Sequence, residues 1–384
     1  MTAWEKRLRM NKVLIVYGTR PDAVKMAPVV IEFKKDSSIK TIVCTTAQHR
    51  ETIDMVNDIF GITPDYDLNI MKKSQTLEYV TSAIMDKFSS LLDKEHPDMV
   101  LVHGDTATCL ICALASFYKK IPVGHVEAGL RTHDIYSPFP EEMNRKLVAS
   151  LATLHFSPTE SNRKNLLNEN IPDENIYVTG NTGIDALDTT VDGKYVFERE
   201  ILNKLDFDNQ RIITLTAHRR ENLGKPLEDI CRAVIEISEK FSDVVFVYPV
   251  HPNPAVRDTV YTFLGDRKNI VLTDFISVSD NHNLMKKSYM VMTDSGGLQE
   301  EAPALGKPVL VLRKETERPE AVEMGTVRLS GVEKNQIVAD AVELLTNPGT
   351  YNKMATAVNP YGDGKASSRI LAAVKAYLKD LLLT

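Results

Sequence analysis

Three acidic residues stand in loops whose neighbours suit acid–base chemistry. They are Asp105 in His103-Gly-Asp-Thr-Ala-Thr, Glu127 in His125-Val-Glu-Ala-Gly-Leu-Arg-Thr, and Glu141 in Ser137-Pro-Phe-Pro-Glu-Glu-Met-Asn-Arg. Asp105 and Glu127 follow apolar runs that read as strands, and a carboxylate at a strand's carboxyl end lies where open α/β sheets bind ligands. Carboxylates crowded into a partly dry site repel one another, so one of them is pushed towards its protonated form. That keeps one acid and one base available at neutral pH, and which residue takes which part stays open. Arg131 accompanies Glu127, and Arg145 lies four residues after Glu141, on the same helical face. The adjacent Glu142 reads as a surface carboxylate that complements a helix dipole.

A second set of residues suits anions. Gly18-Thr-Arg-Pro-Asp-Ala-Val-Lys follows an apolar run and opens a helical pattern, which sets Arg20 and Lys25 beside a helix N-terminus. It lacks the Gly-Lys-Ser/Thr of a Walker A loop. Asp294-Ser-Gly-Gly-Leu-Gln-Glu-Glu also joins a strand to a helix, and the Ser295-Gly296-Gly297 turn can bring backbone N–H groups against phosphate. Glu301, one helical turn further on, suits the two hydroxyls of a ribose. In Ala217-His-Arg-Arg-Glu-Asn, His218 stands at a strand end beside Arg219 and Arg220. His251 ends the following strand without a clear role. The polar stretch 312–320 reads as a loop. The histidines lie on separate loops with no HxxxH pair, and no GxGxxG follows a strand, which argues against a metal and against a dinucleotide.

These loops need a scaffold, and strand and helix patterns alternate along the whole chain. Apolar, β-branched runs at 13–17, 42–46, 99–103, 121–126, 154–157 and 176–179 predict six strands. Helical patterns over 23–34, 76–92, 108–118 and 141–151 lie between them. After a polar break at 188–209 the alternation resumes, with strands at 212–216, 244–248, 270–273, 290–293, 309–312 and 326–329, and the chain ends in an apolar-rich helix at 367–383. Near-continuous apolar strands separated by helices mean parallel sheets covered on both faces. The fold class is α/β: two doubly wound Rossmann-like domains of six strands each, facing a central cleft.

Composition sets the bounds. The chain has 384 residues, 46 Lys and Arg against 52 Asp and Glu, and a net charge of −6. The length suggests two domains, and mild acidity argues against a nucleic-acid partner. No apolar run approaches the ~20 residues of a membrane span. The charged, polar segment 1–12 shows no secretory signal. Four cysteines among 384 residues are too few for a disulfide scaffold and point to a reducing compartment. Cys109 and Cys112 form a CxxC, but within an apolar helical run they read as core.

The loop sequences together, joined by Ala47-Gln-His-Arg, Thr179-Gly-Asn-Thr and Asn359-Pro-Tyr-Gly-Asp-Gly-Lys-Ala-Ser, resemble the non-hydrolysing bacterial UDP-N-acetylglucosamine 2-epimerases in order from about 13 to 369. The resemblance implies a glycosyltransferase-B-like fold, a cytoplasmic homodimer, and domains at 1–187 and 188–365 with a final helix, 366–384, returning to the first. It implies a UDP-sugar substrate, no cofactor, and reversible epimerisation at carbon 2 through 2-acetamidoglucal, feeding cell-surface polysaccharide synthesis. A related UDP-2-acetamido sugar, such as a 2,3-diacetamido-glucuronate, is the alternative substrate. By resemblance Asp105, Glu127, Glu141 and His218 carry catalysis, and Arg20, Lys25, Arg145, Ser295, Gly296, Gly297 and Glu301 bind substrate. Gln48, Glu51 and Ser74 fall at a regulatory site for a second substrate molecule, where the family tends to have Gln and Arg at positions 51 and 74. Asp22 replaces the usual Glu, Ala107 a frequent Thr, and Asn281 a frequent aromatic residue.

Overall fold

The computed structural model describes residues 10–72 and 74–381. The expectation for segment 1–12 falls mostly, and that for residues 382–384 wholly, outside them. The chain forms two compact units by its internal contacts. One runs to Asp188 and resumes at Tyr361, and the other is Thr189–Pro360.

The first unit is built on β1 (Asn11–Tyr17), β2 (Ile39–Thr45), β3 (Tyr66–Asp67), β4 (Met99–His103), β5 (Val123–Val126), β6 (Leu154–Ser157) and β7 (Ile176–Val178). Their order across the sheet is β3-β2-β1-β4-β5-β6-β7, and every pairing is parallel. Between the strands run α1 (Arg20–Lys35), α2 (Arg50–Phe60), α3 (Leu77–Glu95), α4 (Ala107–Tyr118), α5 (Glu141–Leu151) and α6 (Glu160–Asn168), with α7 (Thr182–Thr190) following β7. The core packs Leu14, Val16, Val100 and Val102 of the sheet against Ile84, Phe88, Ile111 and Cys112 of α3 and α4. Cys109 and Cys112 are thus buried thiols in a helix–sheet core, and neither forms a disulfide. Six strands were expected, and seven are present among the described residues. β3 is only two residues long and pairs with the end of β2 through Cys44 and Thr45. Two residues cannot show the alternation by which a strand is read from sequence.

The second unit follows the same plan. After α8 (Glu200–Asn203) come β8 (Arg211–Thr216), α9 (Lys225–Lys240), β9 (Val244–Pro249), α10 (Pro254–Leu264), β10 (Ile270–Thr273), α11 (Val278–Lys287), β11 (Met290–Thr293), α12 (Gly296–Ala304), β12 (Val309–Val311), α13 (Pro319–Glu323), β13 (Val327–Leu329), α14 (Lys334–Thr346) and α15 (Pro348–Ala355). The parallel sheet has the order β10-β9-β8-β11-β12-β13. Phe246, Tyr248, Met290 and Met292 pack on Ile230, Val234 and Ile237 of α9.

The chain then rejoins the first unit. α16 (Ala366–Leu381) packs along α1. Its start is fixed by Asp185 of α7, which accepts the N–H groups of Ala366 and Ser367 at 3.2 and 2.7 Å. No helix among the described residues is long and apolar enough to cross a membrane.

Each sheet reverses its strand order once, between β1 and β4 and between β8 and β11. The loops that leave the carboxyl ends of these four strands flank the reversal, which is where doubly wound sheets bind ligands. They are the segments that begin with Gly18, Gly104, Ala217 and Asp294.

Candidate active site

In the first unit the loops after β1, β4 and β5 bring their charged groups into one cluster. Gly18 leaves β1 against Thr46 and Thr108; a Cβ at this position would lie 2.3 and 2.0 Å from their hydroxyl oxygens, so only glycine fits. That close approach turns the chain directly into α1, where Asp22 accepts the Thr19 N–H at 3.3 Å. Asp22 is buried. It also takes the Thr106 hydroxyl at 3.1 Å, which ties the β1 loop to the β4 loop.

Glu127 sits in the left-handed backbone region, at φ 64°. A non-glycine residue there costs on the order of 1–3 kcal/mol and persists only where its surroundings hold it. Three side chains hold this one. Lys25 of α1 ion-pairs with it, Asn181 donates to its Oε2 at 3.1 Å, and the His103 ring approaches to 3.9 Å. The opposite ring nitrogen of His103 is 3.5 Å from Asp22. His103 is buried, and neither of its nitrogens has a hydrogen bond among the described residues. It therefore lies between two carboxylates.

Asp105 faces Arg145 of α5 at 2.5 Å, and Asn144 donates to the Asp105 carbonyl at 2.7 Å. Burial raises the Asp105 carboxyl above its ordinary value of 3.8; the Arg145 charge opposes the rise, and the charges of Glu127 and Asp22 add to it. Burial and like charge thus raise Asp105 against the pull of Arg145, while Glu127 lies against the cation of Lys25. These are the opposed environments an acid and a base require.

Several sequence expectations are corrected here. Arg145 does not pair with Glu141, its neighbour four residues back; it pairs with Asp105 and, at 3.0 Å, with Glu142. Glu142 is fully buried rather than a surface carboxylate. It accepts the backbone N–H groups of Thr132 and His133, each at 3.1 Å, and so fixes the loop before α5. Arg131 points away from the cluster and holds Glu169 at the end of α6 through two hydrogen bonds of 2.8 and 2.7 Å. Glu141 is the first residue of α5 and partly exposed. Arg20 is the first residue of α1.

The residues that the resemblance places at a regulatory site, Gln48, Glu51 and Ser74, lie near the β1 loop. The Gln48 side chain accepts from Thr108 at 3.1 Å, and its carbonyl accepts from Gln75 at 3.0 Å. That contact brings the segment of Ser74 beside Gln48. Glu51 is exposed in the first turn of α2. Lys72 lies over the Tyr79 ring at 4.2 Å, and Lys73 is outside the described residues.

In the second unit, α12 begins at Gly296, and Ser295 precedes it without a side-chain cap. The Ser295 side chain thus satisfies none of the first N–H groups of the helix, and such an N-terminus suits an anion. Glu301 lies one turn on and pairs with His282 of α11 at 3.4 Å. The polar loop after β12 folds back on α12, where buried Arg318 binds Glu300 at 2.8 Å.

Asp294, fully buried, organises the β8 loop. Its Oδ2 accepts the N–H groups of His218 and Arg219 at 2.7 and 2.8 Å and the Asn222 amide at 3.0 Å. The His218 ring stacks on His251, with centroids 5.1 Å apart and planes 8° from parallel. Burial pulls the His218 imidazole below its ordinary value of 6.5, against the attraction of Asp294. The sequence reading found His218 but missed His103, Asn181, Glu142 and the anchoring part of Asp294. A motif names a loop, whereas a buried partner shows only when the loops are folded together.

The sequence model of the UDP-N-acetylglucosamine 2-epimerase family matches residues 31–375. The UDP-N-acetylglucosamine 2-epimerase of Bacillus subtilis is 52% identical over 364 residues, spanning 95% of each chain. That of Escherichia coli K12 is 51% identical and spans 95% of this chain and 98% of its own. The crystal structure of the Neisseria meningitidis UDP-GlcNAc 2-epimerase bound to UDP-GlcNAc matches with a TM-score of 0.87 at 47% identity, covering 95% of this chain and all of that one. With the family's sequence model matched over most of its length and such relatives covering nearly all of it, the chain belongs to the UDP-N-acetylglucosamine 2-epimerase family.

Proposed function

We propose that this protein interconverts UDP-N-acetylglucosamine and UDP-N-acetylmannosamine by inverting carbon 2. The observation that carries the reading is the carboxylate cluster of the first unit, where Asp105 is driven towards its protonated form and Glu127 is paired with Lys25. In the elimination, a base takes the proton from carbon 2. The electron pair forms the carbon 1–carbon 2 double bond, and the bond from carbon 1 to the UDP oxygen breaks. UDP leaves with that pair, giving 2-acetamidoglucal. In the return step an acid adds a proton to the opposite face of carbon 2, and the UDP oxygen adds back to carbon 1. Asp105, Glu127, Glu141 and His218 carry these proton transfers and the charge that develops during them. Each residue that acts as an acid in one direction acts as a base in the other.

The departing diphosphate needs donors. Arg20 at the start of α1 and the open N–H groups of α12 suit it. Lys25 and Arg145 act on substrate and also balance Glu127 and Asp105, and Glu301 suits the ribose hydroxyls. We take the working form to be a cytoplasmic homodimer; light scattering on the purified protein tests the dimer. Incubation with UDP-N-acetylglucosamine as sole substrate tests the activity. Proton NMR should show UDP-N-acetylmannosamine accumulating to an equilibrium mixture. A spectrum that stays unchanged until a sugar acceptor is added would instead mean glycosyl transfer.

A further inference from the structure

We propose that Asp294 is the positioning residue for His218: its Oδ1 accepts the His218 Nδ1 proton and fixes the ring in the tautomer that leaves Nε2 bare. The two oxygens of Asp294 are used very differently. Oδ2 receives three hydrogen bonds, from the backbone of His218 and Arg219 and from Asn222. Oδ1 is equally buried and receives none among the described residues. A buried carboxylate oxygen without a donor is costly to leave so. A ring nitrogen faces it: His218 Nδ1 lies 3.6 Å away. A shift of well under 1 Å, within the freedom of a partly exposed ring, closes that gap to the 2.7–3.2 Å of a hydrogen bond. Because Oδ2 anchors the His218 backbone and Oδ1 meets its ring, one carboxylate sets both ends of the residue. The stacked His251 ring holds the plane.

A carboxylate can only accept, so Nδ1 must carry the proton, and Nε2 is left to exchange protons with a ligand. Asp294 also favours the imidazolium once it forms, as does Glu221; the charges of His251 and Arg219 oppose it. This assignment rests on the part proposed above for His218. It adds a residue that touches no substrate and acts only through the imidazole.

The test is the tautomer itself, read without substrate. In protein labelled with nitrogen-15 in its histidines, with the His218 signals assigned by loss in His218→Asn, the wild type should show a protonated Nδ1 and a bare Nε2. Asp294→Asn keeps an oxygen for the backbone N–H groups and turns its NH2 towards Nδ1. It should move the proton to Nε2 and lower kcat by roughly 10²-fold or more. Its affinity for UDP, by calorimetry, should stay within about threefold of wild type. The limb of the pH–rate profile that belongs to His218 should move down by about one pH unit, since one attractive charge is gone. A wild-type Nε2–H tautomer would overturn the proposal, and that measurement does not need Asp294→Asn to fold. So would an Asp294→Asn enzyme with the wild-type tautomer, or one that loses UDP binding and turnover equally. If the tautomer is as expected and no UDP-sugar is epimerised, the functional reading fails and this assignment stands.

Discussion

At the scale of single residues, burial and like charge raise the Asp105 carboxyl against the pull of Arg145. Asp105→Asn, Glu127→Gln, Glu141→Gln and His218→Asn should each lower turnover by about 10²-fold or more, the usual contribution of a positioned acid or base. UDP affinity, measured by calorimetry, should fall much less; a variant with near-normal turnover removes that residue from the mechanism. Asp105 also makes a stability prediction. Its folded-state value is raised above 3.8, so over that window the native protein keeps a proton that the unfolded chain has released. Wild-type stability therefore loses this contribution as pH rises through the window. Asp105→Asn has no such proton to lose, so its melting temperature should gain on wild type from pH 4 to pH 8. Parallel melting curves across that range would contradict the assigned environment. The carboxylate–cation grouping was legible from residue type and strand-end position. The pairing of Arg145 was not. The spacing of four pointed to Glu141, but Asp105 and Glu142 hold the guanidinium, and a contact between loops outranks a weak pair along one helix.

At the scale of elements, the return of the chain after Pro360 supports the site from behind. Tyr361 accepts the Asn181 N–H at 2.7 Å, and Asn181 in turn holds Glu127. Gly180, at φ 91°, lies so close to this returning segment that a Cβ would meet Gly362 and the Tyr361 carbonyl at 3.2 Å. Gly180→Ala should therefore destabilise the protein by about 1–3 kcal/mol and lower turnover as well, by disturbing Asn181. Asp185→Ala removes the acceptor for the first N–H groups of α16 and should cost about 1–3 kcal/mol in urea unfolding, with Asp185→Asn costing less. Unfolding midpoints equal to wild type would show that α16 is held by packing alone. The segment around Ser74 makes a different prediction. Ser74 stands where the resemblance leads one to expect a long cation, exposed Glu51 adds negative charge, and Lys72 is engaged with Tyr79. Activation by a second substrate molecule should therefore be weak or absent. A reverse reaction that starts from UDP-N-acetylmannosamine after a long lag, and loses the lag when a trace of UDP-N-acetylglucosamine is added, would contradict this. Most elements could be read because apolar strands and amphipathic helices repeat at their own periods. β3 could not, since two residues carry no period.

At the scale of the molecule, the two sheets assign different chemistry to two units with the same plan. The first carries the carboxylates after β1, β4 and β5, and the second carries the N–H groups of α12 and the imidazole set by Asp294. The doubly wound class was legible because buried parallel strands are apolar almost throughout. The buried supports of the site, among them Glu142, Asn181 and Asp294, were not, because burial of a polar residue is decided by distant parts of the chain. The central claim is that carbon 2 loses its proton and regains one on the other face. It is tested most directly by running the reaction in deuterated water and reading carbon 2 of the product by NMR and mass spectrometry. The account predicts UDP-N-acetylmannosamine with one deuteron at carbon 2 and none elsewhere on the sugar carbons. Epimerised product that retains its original hydrogen at carbon 2 would contradict it.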